Sequence, residues 1–270
     1  MHLRLLPYNN LHYQTQPFNM KTIIILAIMA IGINGFTSKP ARQTFNEDNT
    51  KGFAVVELFT SEGCSSCPSA DEALIELSHE YKQNVFILGF HVDYWDRLGW
   101  KDACSDAAYS NRQQEYGRIF GLRSIYTPQV IVNGHTEFVG SDRTRLHQNI
   151  EKELTESSDP DMDLQAKSIS ENKVSVSYKI PDRGNQLIRI ALVEKYRETA
   201  VKRGENSGKT LRHINLVRDF KSVNSGEGSV TMSLPQSLKP ENCLIIAYLQ
   251  DKTSWNISGA KSISIGSSTN

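Results

Sequence analysis

The sequence lacks an excess of charge of either sign: 30 lysines and arginines balance 30 aspartates and glutamates over 270 residues. With no basic field to recruit nucleic acid or anionic lipid, nucleic-acid binding is set aside. It has no second CxxC and no HxxxH to complete the four closed ligands of a structural zinc site, so no metal centre is expected. There is no internal repeat and no low-complexity segment beyond the polar tail 266–270. Cysteine is sparse, with four residues: Cys64, Cys67, Cys104 and Cys243.

Near the start, Met20-Lys21-Thr22 precedes Ile23 to Ile33, an apolar run too short to span a bilayer comfortably. A single basic residue, a short apolar core and a polar exit describe a secretory signal over about residues 20–38. Residues 1–51 are therefore expected to comprise an upstream extension, with Met20 as the true start, then the signal and a linker carrying Pro40. No cysteine follows the apolar run, which argues against a lipoprotein anchor. No small-x-small triplet marks a cleavage site, so an uncleaved signal anchor stays open as the one route to a membrane. The expected location is secreted or periplasmic, where disulfides persist.

The richest stretch is Cys64-Ser65-Ser66-Cys67-Pro68, between an apolar strand pattern (Phe53 to Phe59) and an amphipathic helix pattern (Ala70, Ala73, Leu74, Leu77, Tyr81). Two cysteines three apart at a helix start can form a reversible disulfide. Unpaired N–H groups and partial positive charge there favour thiolate on the first sulfur. Cys64 is the candidate nucleophile and Cys67 the resolving thiol. Pairing 64 with 67 leaves Cys104 with Cys243 as a proposed structural disulfide.

Val85 to Phe90 reads as a second buried strand and Ala107 to Phe120 as a second helix. Gln129 to Val132, Asn133-Gly134 and Glu137 to Val139 read as a hairpin, followed by a helix capped at Asp142 or Ser141. Past Ser157-Ser158-Asp159-Pro160 the pattern becomes short alternating runs with turns between them, the signature of an antiparallel sandwich.

The order β-α-β-α-β-β-α, with CxxC at the first strand-to-helix junction and Thr127-Pro128 before the hairpin, resembles the thioredoxin fold. The expected fold class is thus an α/β thioredoxin-like domain, residues 52–157, followed by an all-β antiparallel sandwich-like domain, residues 161–266. The resemblance implies a cis Pro128 and a substrate-pairing backbone at Thr127. More closely, the chain is similar to a widespread family of secreted bacterial thioredoxin-like proteins classed as a domain of unknown function. That similarity rests on Glu57 to Pro68, Val92 to Asp96 with Gly99 to Asp102, Tyr126 to Gln129, and Arg203 to Asn206 with Leu211, His213 and Val217-Arg218.

The site departs from the thioredoxin pattern at Gly63, where an aromatic residue is common, at Ser65-Ser66, and at Pro68. Glu57, ionisable in an apolar strand, is the expected counterpart of the carboxylate that accepts a proton beneath the second cysteine; a solvent-facing Glu57 is the alternative. Tyr94, Trp95 and Trp100 are expected to wall a substrate pocket with Asp93, Asp96 and Lys101 at its rim, against the alternative of a self-packed loop with capping aspartates. His91 and Asp93 alone are weak evidence for a metal. Arg203 to Gly208 is turn chemistry, expected either to dock against the thioredoxin-like domain or line a cleft shared with it, or else to form an exposed connection.

The leading expectation is an extracytoplasmic thiol-disulfide oxidoreductase without a cofactor, acting on a protein or small thiol/disulfide substrate and served by a redox partner protein. Alternatives are a copper-binding or redox-sensing module using Cys64, Cys67 and His91, and a non-catalytic secreted interaction protein with a structural CxxC disulfide.

Overall fold

The computed structural model describes residues 52–156, 161–181 and 184–266. The expected extension, signal and linker (1–51) lie outside the described residues. No helix among the described residues is long and apolar enough to cross a membrane.

Strand β1 (Ala54–Thr60) is buried at every position, as an apolar run covered on both faces must be. Helix α1 (Pro68–Glu80) starts with proline at its first position, where a missing N–H costs nothing. Leu74 and Leu77 seat it on Val56 and Leu58; truncating either leucine to alanine removes about 2–5 kcal/mol. Then come β2 (Val85–His91), a short 3-10 turn at Asp93–Leu98, and α2 (Ala107–Ile119), capped by the Asp106 carboxylate on Ala108 N–H at 2.7 Å. Strands β3 (Gln129–Val132) and β4 (Thr136–Val139) flank Asn133 and Gly134, both at positive φ. Helix α3 (Arg143–Thr155) is capped by Asp142. The rest, apart from a 3-10 turn at Pro240–Asn242, is strand: β5 (Asp163–Ser170), β6 (Lys173–Ile180), β7 (Gln186–Ala200), β8 (Thr210–Asn224), β9 (Gly226–Ser233), β10 (Cys243–Asp251) and β11 (Ile257–Ser264).

Through α3 the helices and strands fall where periodicity placed them, but the architecture does not follow the expectation. An α/β thioredoxin-like domain followed by an all-β sandwich is overturned by a mostly β fold. One mixed eight-stranded sheet runs β11-β10-β7-β8-β2-β1-β3-β4, and β5-β6-β9 form a second, three-stranded sheet. The junction is β2 with β8, parallel, at Gly89 and Leu216. The physical reason lies in β2: an apolar strand buried on both faces reads the same whatever strand pairs along its edge. Strands β7 and β8, 15 residues each, are also longer than their apolar cores, and their polar ends carry the ladder out to a turn at 201–209.

Side-chain alternation along β1 separates two cores. Ala54, Val56 and Leu58 face α1 and α3; Val55 and Phe59 face α2 and the inner residues of β7, β8 and β10. A third core lies between the three-stranded sheet and the far face of β7 and β10.

Candidate functional site

The loop between β1 and α1 brings Cys64 and Cys67 into a disulfide at the first turn of the helix. Cys67 N–H donates to the Cys64 carbonyl at 3.2 Å, and Ser66 Oγ lies 3.4 Å from Cys64 Sγ. Both cysteines are fully buried, while Ser65 and Ser66 between them are exposed.

The cover comes from the turn between β7 and β8. Asn206 is fully buried and its amide donates to the carbonyls of Glu62 at 2.9 Å and Cys64 at 2.8 Å; Glu205 accepts from Ser65 N–H at 3.1 Å. Gly204 sits at φ +75° with Trp100 Cβ 3.1 Å from where its own Cβ would be, so turn geometry and close approach both call for glycine. The Arg203–Asn206 segment therefore docks on the CxxC loop. Gly63 explains the missing aromatic: a Cβ there would stand 3.2 Å from Trp95 Cβ.

Of the expected pocket residues, Trp95 donates from Nε1 to Thr127 Oγ1 at 2.9 Å and so ties Thr127 to the 3-10 turn at Asp93–Leu98. Trp100 donates to Glu62 Oε2 at 2.8 Å. Both indoles are half-buried fasteners between segments. The Thr127–Pro128 peptide bond is cis. Asp93 and Asp96 accept from Ser110 and from Asp102 N–H and Ser105, in the manner of capping aspartates.

Glu57 is not brought to the sulfurs. It lies on the α2 face of β1, opposite to α1, where Arg112 grips it with two bonds of 2.7 and 2.8 Å and Tyr116 and Tyr248 donate to the same carboxylate. Strand alternation is the reason: Thr60, not Glu57, shares the face of α1, and its hydroxyl donates to Asp71 at 3.1 Å. Cys104 and Cys243 are not joined either; both are free and buried. Arg218 donates to Cys104 Sγ at 2.8 Å and to Glu194, the residue opposite Cys243 in the β7–β10 ladder. Burial pushes the Cys104 thiol up to about 12 and the Cys243 thiol up to about 11.

Sequence reasoning missed a second cluster beneath α1. His91 ends β2, His213 lies on the adjacent β8, Glu62 follows β1, Asp71 projects from α1 and Asp102 comes from the loop before α2. All five are buried. His91 Nδ1 meets Asp102 Oδ2 at 2.6 Å, His213 Nδ1 meets Asp71 Oδ1 at 3.2 Å, and the two rings meet edge to face with centroids 4.7 Å apart. Burial pulls the His91 pKa down, but the Asp102 charge and hydrogen bond outweigh it and the pKa is raised. Burial works to raise Asp102, yet His91 and the N–H groups of Glu62 and Cys104 hold it well below the usual carboxylate range. The available signal was in the motif segments themselves, since Glu62, Asp102 and His213 stand in three of those quoted above.

Residues 55–250 match the family described as "Protein of unknown function (DUF1223)". The crystal structure of protein AGR_C_4864 from Agrobacterium tumefaciens is similar, with 29% identity and a TM-score of 0.58, covering 80% of this chain and 96% of that one. A domain of the outer membrane lipoprotein Omp28 from Porphyromonas gingivalis matches at 16% identity and a TM-score of 0.26, over 40% of this chain and 89% of that one. No curated protein matches.

Proposed function

We propose that this chain, which belongs to the DUF1223 family, is an extracytoplasmic thiol-disulfide oxidoreductase working through Cys64 and Cys67. The observation that carries the reading is the Cys64–Cys67 disulfide at the first turn of α1. In the reduced form, Cys64 thiolate attacks a substrate disulfide; one substrate sulfur leaves as thiolate and takes up a proton, and a mixed disulfide remains. Cys67 thiolate then attacks Cys64 Sγ, expels the second substrate thiolate and restores the internal disulfide. Two electrons pass to the substrate. The reverse sequence oxidises a dithiol, and the partner's potential sets the direction.

The reading takes over thioredoxin-type exchange chemistry, not thioredoxin architecture. Thr127 presents its backbone to the substrate beside Pro128, its hydroxyl being held by Trp95. Because both sulfurs are buried, substrate reaches Cys64 when the two bonds from Asn206 release. The signal reading of residues 20–38 supports an extracytoplasmic site, where such a couple is kept in use.

Alkylation and mass mapping across a glutathione redox series tests this. Cys64 and Cys67 are expected to gain label together over one two-electron transition. The burial of both sulfurs favours one second reading, a fixed structural staple. A disulfide that stays closed at every glutathione potential establishes the staple and ends the oxidoreductase reading.

A further inference from the structure

The polar atoms of the buried cluster under α1 do not close on themselves. Three buried atoms there have no hydrogen-bond partner: His91 Nε2, His213 Nε2 and Glu62 Oε1. Each belongs to a side chain whose other polar atom is already fixed, by Asp102, by Asp71 and by Trp100 Nε1 respectively. A carboxylate can only accept, so each imidazole donates from Nδ1; the metal-binding form is the neutral tautomer, which carries its lone pair on Nε2. In that form the orphans are all acceptors, and Glu62 Oε1 stands 3.9 Å from His213 Nε2. One nitrogen from each histidine and an oxygen of Asp71 lie within 4.8 Å of one another.

Charge points the same way. Glu62, Asp71 and Asp102 place three buried carboxylates around two imidazoles, and no lysine or arginine among the described residues bonds to any of them. A buried array of acceptors with excess negative charge is stabilised by a cation. Histidines whose outer nitrogens donate to carboxylates have the outer-sphere arrangement of protein metal ligands, which fixes the tautomer and ring orientation.

We infer that this cluster is a binding site for a single divalent transition cation of the zinc type, held by Nε2 of His91, Nε2 of His213 and Oε1 of Glu62. Asp102, Asp71 and Trp100 orient the three ligands. Two nitrogens and one oxygen suit such an ion and leave a further position for a fourth ligand. Ligand atoms around tetrahedral zinc, with bonds of about 2.0–2.1 Å, stand roughly 3.3 Å apart, so the 3.9 Å between Glu62 Oε1 and His213 Nε2 closes with a shift of about half an ångström. The thiols take no part, so the site stands or falls independently of the exchange reaction.

The test is zinc chloride titrated into the chelator-treated full chain, with bound metal measured after desalting. One equivalent is expected in the wild type and in Cys64→Ser/Cys67→Ser. It is expected to vanish in His213→Ala and in His91→Ala, and to bind about 10–100-fold more weakly in Asp102→Asn. Cobalt(II) in the wild type should give the visible spectrum of a tetrahedral nitrogen and oxygen site with no thiolate charge-transfer band. No metal retained by the wild type overturns the inference, whatever the folding of the variants. So does an equivalent that survives both histidine substitutions or disappears with the cysteines.

Discussion

Two buried clusters of charge lie on opposite faces of β1, and they are built on different principles. On the α2 face, Glu57 and Arg112 form a bidentate ion pair enclosed by Tyr116, Tyr248 and Gln250, and no buried side-chain atom of these five lacks a partner. On the α1 face, Glu62, His91 and His213 each leave one atom unpaired. A charged group buried for structure is expected to be satisfied within the protein, because an unmet polar atom costs about 1–3 kcal/mol. The α2 cluster meets that expectation and fastens α2 to β1 and β10. The α1 cluster does not, and it lies under the helix that begins at the disulfide. Completeness thus separates a fastening from a site.

The largest expected effect breaks the satisfied cluster. Arg112→Met leaves Glu57 buried without its cation and should lose about 3–5 kcal/mol in urea unfolding, whereas Glu57→Leu with Arg112→Met should recover most of that loss. His213→Leu is expected to behave in the opposite way: metal-free, it should change stability by less than about 1 kcal/mol, since it removes an orphan along with one weak partner. Zinc should then separate the two proteins. At a hundredfold excess over its dissociation constant it should stabilise the wild type by about 2.7 kcal/mol and His213→Leu not at all.

A smaller effect is expected at the cover. Asn206→Ala removes two hydrogen bonds, about 1–3 kcal/mol in total, and should speed reduction of the Cys64–Cys67 disulfide by dithiothreitol, read by timed alkylation. Unchanged reduction kinetics would show that the turn does not control access. The smallest effect concerns the two free thiols. With Cys104 near 12 and Cys243 near 11, both stay protonated at pH 8 and should take no label until the chain unfolds. Replacing either with alanine should leave the exchange midpoint where it was.

What the sequence disclosed follows from how far apart the relevant residues lie. Cys64 and Cys67 are three positions apart, so their pairing and their place at a helix start are visible in one short window. The hairpin at Asn133-Gly134 is equally local. Glu57 was visible as a charge in an apolar strand, but its partner lies 55 residues on, and strand parity sends it away from α1. The histidine cluster was the least visible, because His213 meets Asp71 across 142 residues and only where β8 joins β2. That junction carries no periodic signal of its own, so the same gap hid both the continuous sheet and the site assembled along it. Cys104 and Cys243 failed differently: counting cysteines offers a pair, while the fold gives Cys104 a contact with Arg218 instead.

The exchange reaction is tested most directly by Cys67→Ser incubated with glutathione disulfide. The account predicts that Cys64 attacks, one glutathione leaves as thiol, and a single glutathione adduct stays on Cys64 because no resolving thiol remains. An unmodified Cys64 after the protein has been held with excess glutathione disulfide would contradict it.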